Sequence, residues 1–152
     1  MEQEEVLNKL IIEFSKTLEV FNLSPLEARL FVHLYLSKEP MTLDDMSEAL
    51  GKSKTSMSTS ARHLYEANLI SQVWKKGVRK DLYEANNDLF NTFVTSHFKQ
   101  ITSLIHRQKE VITNIEGQIN NSETFQNQIK DIIAFHSQLE TLFENIKLNA
   151  NT

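Results

Sequence analysis

Seven cations and one carboxylate fall between residues 51 and 80. They are Lys52, Lys54, Arg62, Lys75, Lys76, Arg79 and Lys80, set against Glu66 alone, a net of +6. The other 122 residues hold nine basic and 19 acidic side chains, a net of −10. Lysine and arginine donate charge-assisted hydrogen bonds to anionic oxygens, and arginine can donate two in parallel. A charge run is ordinarily a solvated face. A basic block inside an acidic chain of net charge −4 is instead the footprint of a polyanion partner.

The block has a second chemical feature. Met57, Ala61 and Leu64 stand at i, i+4 and i+7, a narrow apolar face for a helix. Around them lie Lys54, Thr55, Ser56, Ser58, Thr59, Ser60, Arg62 and His63, with no acid before Glu66. Serine and threonine are mediocre helix formers, so their density here calls for a reason. Short hydroxyls let a helix approach nucleic acid closely and bond phosphates, while an arginine such as Arg62 can reach a guanine edge. A merely solvated face leaves the missing carboxylates unexplained.

Elements must position these groups, and the punctuation for them is present. Thr42 starts a helix with Asp44 and Asp45 in its first turn, where the helix dipole favours acids. Leu43, Met46 and Leu50 form its stripe, and Gly51 suits the left-handed backbone of a tight turn. Ser53 caps the next helix, expected to run to about Ala67. Helix, short turn, helix is the helix-turn-helix pattern. Two β-prone runs follow, Leu69 to Trp74 and Asp81 to Ala85, flanking a tip that holds Lys75, Lys76, Arg79 and Lys80 around Gly77. They predict a hairpin. In this order the elements predict a winged helix-turn-helix, whose second helix enters the major groove of double-stranded DNA while the wing meets the backbone or minor groove.

Upstream, Leu7, Leu10, Ile11, Phe14, Leu18 and Phe21 predict an amphipathic helix over 3–21. Ser24-Pro25-Leu26-Glu27 is a capping box with proline in the first turn, opening a helix that stops near Ser37. Downstream, Asn87-Asp88 starts a long helix to about Ile119. One of its seams runs Val94, His97, Ile101, Leu104, Gln108, Val111, Ile115, and another runs Phe98, Ile105, Ile112, Ile119. Asn120-Asn121-Ser122 reads as a turn and new cap. Phe125, Ile129, Ile132, His136, Leu139, Phe143 and Ile146 then form a heptad seam. So much apolar face predicts a partner subunit, and hence a homodimer on a pseudo-palindromic operator. Half-sites would lie one helical turn, roughly 10 base pairs, apart. An internally satisfied monomeric bundle is the alternative.

The expected fold class is therefore mainly α with a small β-hairpin wing: a winged helix-turn-helix plus a long C-terminal helical hairpin for dimerisation. The expected division is 1–22, an N-terminal dimerisation helix; 23–86, the winged DNA-binding domain; 87–148, a two-helix dimerisation region; and 149–152, a frayed tail. The candidate DNA contacts are Lys54, Thr55, Ser56, Ser58, Thr59, Arg62, His63, Lys75, Lys76, Arg79 and Lys80.

Other chemistries are excluded. With no cysteine there is no disulfide framework, thiol nucleophile or cysteine zinc site. His33, His63, His97, His106 and His136 form no HExxH and no two-His pair at i, i+4, so no metal is expected. The three glycines, Gly51, Gly77 and Gly117, stand too far apart to build a GxGxxG or Walker loop, and no cofactor or enzymatic activity is expected. No stretch approaches roughly 18 apolar residues, so no membrane span is expected. The acidic start, Glu2, Glu4, Glu5, is the reverse of a signal peptide, and the cytoplasm is the expected location. Phe31, Tyr35, Trp74, Phe90 and Phe93 fall where the winged domain should meet the C-terminal helices. Gathered around a cavity they could hold a quaternary ammonium by cation–π attraction, with ordinary core packing as the alternative.

The segments Glu39 to Met46, Ser53 to Ser60 and Lys75-Lys76-Gly77-Val78-Arg79-Lys80 resemble the GbsR family, winged helix-turn-helix regulators allied to the MarR superfamily. The resemblance is closest over about residues 20–100. It implies a dimeric repressor of genes for choline uptake or glycine betaine supply, relieved by a small quaternary-ammonium effector such as choline. It places Lys54, Thr55, Ser56, Ser58, Thr59 and Arg62 on the recognition helix and Lys75, Lys76, Arg79 and Lys80 on the wing. Two alternatives stand beside it. One is a MarR-like regulator sensing a different ligand or none. The other is a protein–protein interaction module on a winged scaffold.

Overall fold

The computed structural model describes residues 2–119 and 123–150. The turn expected at 120–122 and the last two residues of the expected tail lie outside them. The chain divides into two compact units, Met1–Phe93 and Val94–Thr152.

The first unit opens with α1 (Glu2–Leu18), ended by a 3-10 turn at Glu19–Phe21 and by Asn22 in the left-handed region. Ile11, Ser15 and Leu18 are its buried residues, and α1 packs on α2 (Pro25–Leu36). The capping box expected at Ser24 is formed. Ser24 Oγ accepts from the Glu27 N–H, and the Ser24 N–H donates to Glu27 Oε1 at 2.9 Å. Ala28, Leu30, Phe31, Val32 and Leu34 of α2 are all buried, more than one face of the helix. The reason is its central position: α1, α3, α4 and the β-hairpin all contact it.

Helix α3 (Leu43–Leu50) has the same start. Thr42 Oγ1 accepts from the Asp45 N–H, and Asp45 Oδ2 accepts from Thr42 at 2.9 Å. Gly51 ends it at φ 66° and ψ 34°, its N–H donating to the Ser47 carbonyl. A side chain there costs about 1–2 kcal/mol in backbone strain. After this turn comes α4 (Lys54–Glu66), capped by Ser53, whose hydroxyl accepts from the Ser56 N–H. Met57, Ser60, Ala61 and Leu64 are buried. The three apolar positions expected to face the core do so, and Ser60 joins them.

Strands β1 (Ile70–Val73) and β2 (Leu82–Ala85) pair antiparallel, Ile70 opposite Ala85 and Val73 opposite Leu82. Met41 and Tyr83 exchange two backbone hydrogen bonds of 2.9 Å, which dock the hairpin on the segment before α3. The observed architecture is thus the expected one, mainly helical with a small two-stranded wing.

The core gathers Leu30, Phe31, Met46, Met57, Leu64 and Ile70, all fully buried. Leu64→Ala should therefore lower stability by about 2–5 kcal/mol, through lost transfer energy and an unfilled cavity. Thr55→Ala, on the exposed face of the same helix, should stay within about 0.5 kcal/mol. Urea midpoints of the two variants check both values.

The helix expected from Asp88 begins with a π-helical turn at Phe90–Thr95. Asp88 accepts from the Asn91 N–H, and the wider turn buries both Thr92 and Phe93. The second unit holds α5 (Ser96–Gln118) and α6 (Glu123–Ala150), packed as a hairpin. Phe98 meets Phe143, and further along His106 and Lys109 meet Glu140, which fixes an antiparallel arrangement. Residues 149 and 150, expected to fray, continue α6.

Candidate nucleic-acid interface

Helix α4 presents Lys54, Thr55, Ser58, Thr59, Arg62 and His63 to solvent, with Ser56 half-buried. Its first turn holds no acid, whereas α2 and α3 carry Glu27 and Asp44, Asp45 there. The positive end of the α4 dipole is therefore left for an incoming anion. Burial of Met57, Ala61 and Leu64 fixes the rotation of the helix, so the hydroxyl and cation face is outward by necessity.

The wing displays Lys75, Lys76, Arg79 and Lys80 on an exposed loop from residue 74 to 81. Gly77 takes φ 85° at its tip, and the Val78 N–H closes the turn on the Lys75 carbonyl at 3.1 Å. All eleven residues expected to contact DNA lie on this helix and this loop, both within the first unit.

Four of these groups already hold an acid. Lys54 Nζ lies 3.4 Å from Asp44 Oδ1 and Lys80 Nζ 2.5 Å from Asp44 Oδ2. Lys75 lies 3.7 Å from Glu39, and His63 Nδ1 lies 2.8 Å from Glu27 Oε2. Hydrogen bonds from Lys80 and Lys54 hold the Asp44 carboxyl below its usual range, and Asp44 in turn raises Lys80. Burial would raise Glu27, but the Ser24 N–H and His63 outweigh it and the net shift is downward. Arg62, Lys76 and Arg79 make no ion pair among the described residues.

These acids were missed at the level of sequence. Asp44 was explained there as a helix-start residue. Asp45 does that work in the capping box, while Asp44 lies against the wing, 36 positions from Lys80.

Of the five aromatics expected at a ligand site, three meet. Phe31 packs edge-to-face on Phe93 at 4.8 Å and stacks on Tyr35 at 6.2 Å. Phe14 joins at Tyr35 and Phe21 at Phe93. Neither was among the five, although their seven-residue spacing on one helical face was visible. Phe31 is 0% exposed, so its ring is covered by neighbours as in a packed core. Trp74 is 82% exposed and Phe90 is 56% exposed. Trp74 lies just beyond the end of β1, on the exposed loop of the wing, and Phe90 lies on the outer face of the π-helical turn.

Among the described residues no group of three or more His, Asp or Glu could hold a metal ion. None of the described helices is long and apolar enough to cross a membrane.

No family model matches the chain. Among curated proteins it is similar to the HTH-type transcriptional repressor OpcR of Bacillus subtilis (strain 168), 31% identical over 112 residues. That match covers 74% of this chain and 60% of OpcR. It is also similar to the HTH-type transcriptional repressor GbsR of the same organism, 31% identical over 90 residues. Here 59% of this chain and 49% of GbsR are covered. The chain thus spans about half to three fifths of the length of these relatives. A crystal structure of a transcriptional regulator aligns over 95% of this chain and 97% of its own, with a TM-score of 0.71 and 16% identity, a likeness of fold. The named relatives are regulators rather than enzymes. The chain is thus similar to the GbsR-type helix-turn-helix transcriptional regulators, and its fold is a winged helix-turn-helix.

Proposed function

We propose that the protein is a dimeric DNA-binding repressor. One observation carries this reading: α4 offers an acid-free, hydroxyl-rich outer face beside a wing tip bearing four cations. Helix α4 reads base edges in the major groove, chiefly through Arg62, and its hydroxyls bond phosphates. Lys76 and Arg79 hold the backbone or the minor groove. The names of the relatives, both repressors, support negative control.

A second copy of the chain is the proposed cover for the α5/α6 hairpin. No residue of α5 is fully buried. Leu104, Val111 and Ile115 on α5 are exposed, as are Phe125, Ile132, Phe135 and Leu142 on α6. So many large apolar side chains left exposed on one helical hairpin favour an interaction site. The heptad steps from Phe125 to Ile132 and from Phe135 to Leu142 suit helix-on-helix packing. Helix α1 exposes Val6, Leu7 and Leu10 and is proposed to join the dimer.

The proposed effector is a small quaternary ammonium such as choline, as the family resemblance implies. It relieves repression by favouring a spacing of the two α4 helices that does not match the DNA. The Phe31, Tyr35 and Phe93 rings are the proposed binding element, and a cation reaches their faces only if the cluster opens. A thermal-shift series with choline, glycine betaine and unrelated lipophilic cations tests this. Selective stabilisation by the quaternary ammonium compounds is expected. Equal response to all of them would remove the proposed effector. For DNA binding, a gel shift on the promoter of the protein's own gene should show a discrete complex, and none would overturn the reading.

A further inference from the structure

Asp44 occupies an unusual position for an acid. It is on the first turn of α3, yet each carboxylate oxygen takes a lysine from a different element of the basic surface. Oδ1 faces Lys54 at the start of α4, and Oδ2 faces Lys80 at the returning stem of the wing. The three side chains border a recess of about 140 Å³, with Thr42, Leu43 and Asp81 completing it. Neither Asp44 nor Lys80 is buried, so water and ions reach the pair freely.

A carboxylate between two lysines presents to them what a backbone phosphate would present: a pair of anionic oxygens within hydrogen-bonding reach. A phosphate can use Lys54 and Lys80 only by displacing Asp44 or sharing the lysines with it. We propose that Asp44 is a built-in counter-ion of the basic surface, competing with phosphate for Lys54 and Lys80 and so restraining non-specific polyanion binding. This rests on the reading of α4 and the wing as the DNA-facing surface.

The consequence is quantitative. DNA binding releases counterions in proportion to the phosphates neutralised, with a slope of about −0.9 per phosphate in log K against log salt. A lysine already neutralised by Asp44 contributes less, because its liberated carboxylate must be resolvated or take up a cation. Asp44 also ties the wing to the start of α4, so it limits the poses in which the lysines can meet a phosphate. Non-specific complexes, which tolerate many poses, are restrained more than a single specific one.

The test is Asp44→Asn, which keeps the side-chain volume and leaves the Thr42–Asp45 capping box intact. The probes are immobilised heparin, a random-sequence duplex and the duplex upstream of the protein's own gene. The variant should elute from heparin at higher salt. Its affinity for the random duplex should rise about fivefold per lysine released at 0.15 M salt, and its slope should steepen by about one per lysine. The preference for the upstream duplex over the random one should fall. Unchanged or weaker heparin and duplex binding would overturn the proposal and leave Asp44 as a structural tie. Carboxyl carbon shifts of the unsubstituted protein provide a reading that does not depend on the variant's folding. Asp44 should titrate below the usual aspartate range and return towards it in Lys80→Gln, whereas ordinary titration in the unsubstituted protein would overturn the proposal. If heparin retention rises in the variant while neither protein binds any duplex, the masking by Asp44 stands and the DNA-binding reading falls.

Discussion

Glutamate at both Ile132 and Leu142 should turn the protein into a folded monomer that no longer retains operator DNA. Both side chains are about half exposed on α6 and contribute little to either compact unit, so folding should survive. In a dimer seam the same positions are dry. Burying an unpaired carboxylate there costs several kcal/mol, and a two-fold interface counts each substitution twice. Loss of the dimer removes the linkage between two DNA-binding units. Linked binding exceeds that of one module by about 10²–10⁴, so operator affinity should drop by that order. Light scattering coupled to gel filtration reads the mass, circular dichroism the helicity, and anisotropy the DNA affinity. A variant that stays dimeric would show that another surface covers α6.

Arg62→Ala should weaken operator binding and flatten its sequence preference together. Arg62 is exposed on α4 and makes no ion pair among the described residues, so its guanidinium is available to a base edge. A bidentate arginine–guanine contact contributes about 1–3 kcal/mol of discrimination, or roughly 5- to 150-fold. Lys76→Ala should behave differently. A wing lysine meeting phosphate weakens binding on all sequences alike and reduces the salt slope by about one. Competition titrations with operator and random duplex separate the two patterns. Equal loss on both sequences for Arg62→Ala would move this residue from base reading to backbone contact.

Much of the interface was legible because its signals are local. Ser24 and Glu27, three residues apart, close the capping box that their spacing announces, and Thr42 starts α3 as expected, with Asp45 closing a second box there. Gly51 sits where the chain needs positive φ. The periodicity of Met57, Ala61 and Leu64 alone fixed which side of α4 faces outward.

Long-range pairing was not legible. Nothing local marks Asp44 as the partner of both Lys54 and Lys80, or Glu27 as that of His63, since the fold brings them together across many intervening residues. The aromatics show the same limit. Their expected place at the junction of the winged domain and the C-terminal helices grouped Trp74 and Phe90 with Phe31, whereas Trp74, beyond the end of β1, and Phe90, in the π-helical turn, are both exposed. Phe14 and Phe21 entered the cluster instead, because α1 packs on the central helix. On α6 the expected seam is joined by exposed Phe135 and Leu142, and that wider apolar face is what a second subunit would cover.

The central claim is that α4 and the wing bind DNA through phosphate neutralisation. Its most direct test is the affinity of the unsubstituted protein for its upstream duplex between 50 and 300 mM salt. Two unpaired wing cations per protomer, Lys76 and Arg79, give four phosphate contacts in a dimer. The expected plot of log K against log salt is linear with a slope of about −4. A flat plot, or no binding at the lowest salt, would contradict the account.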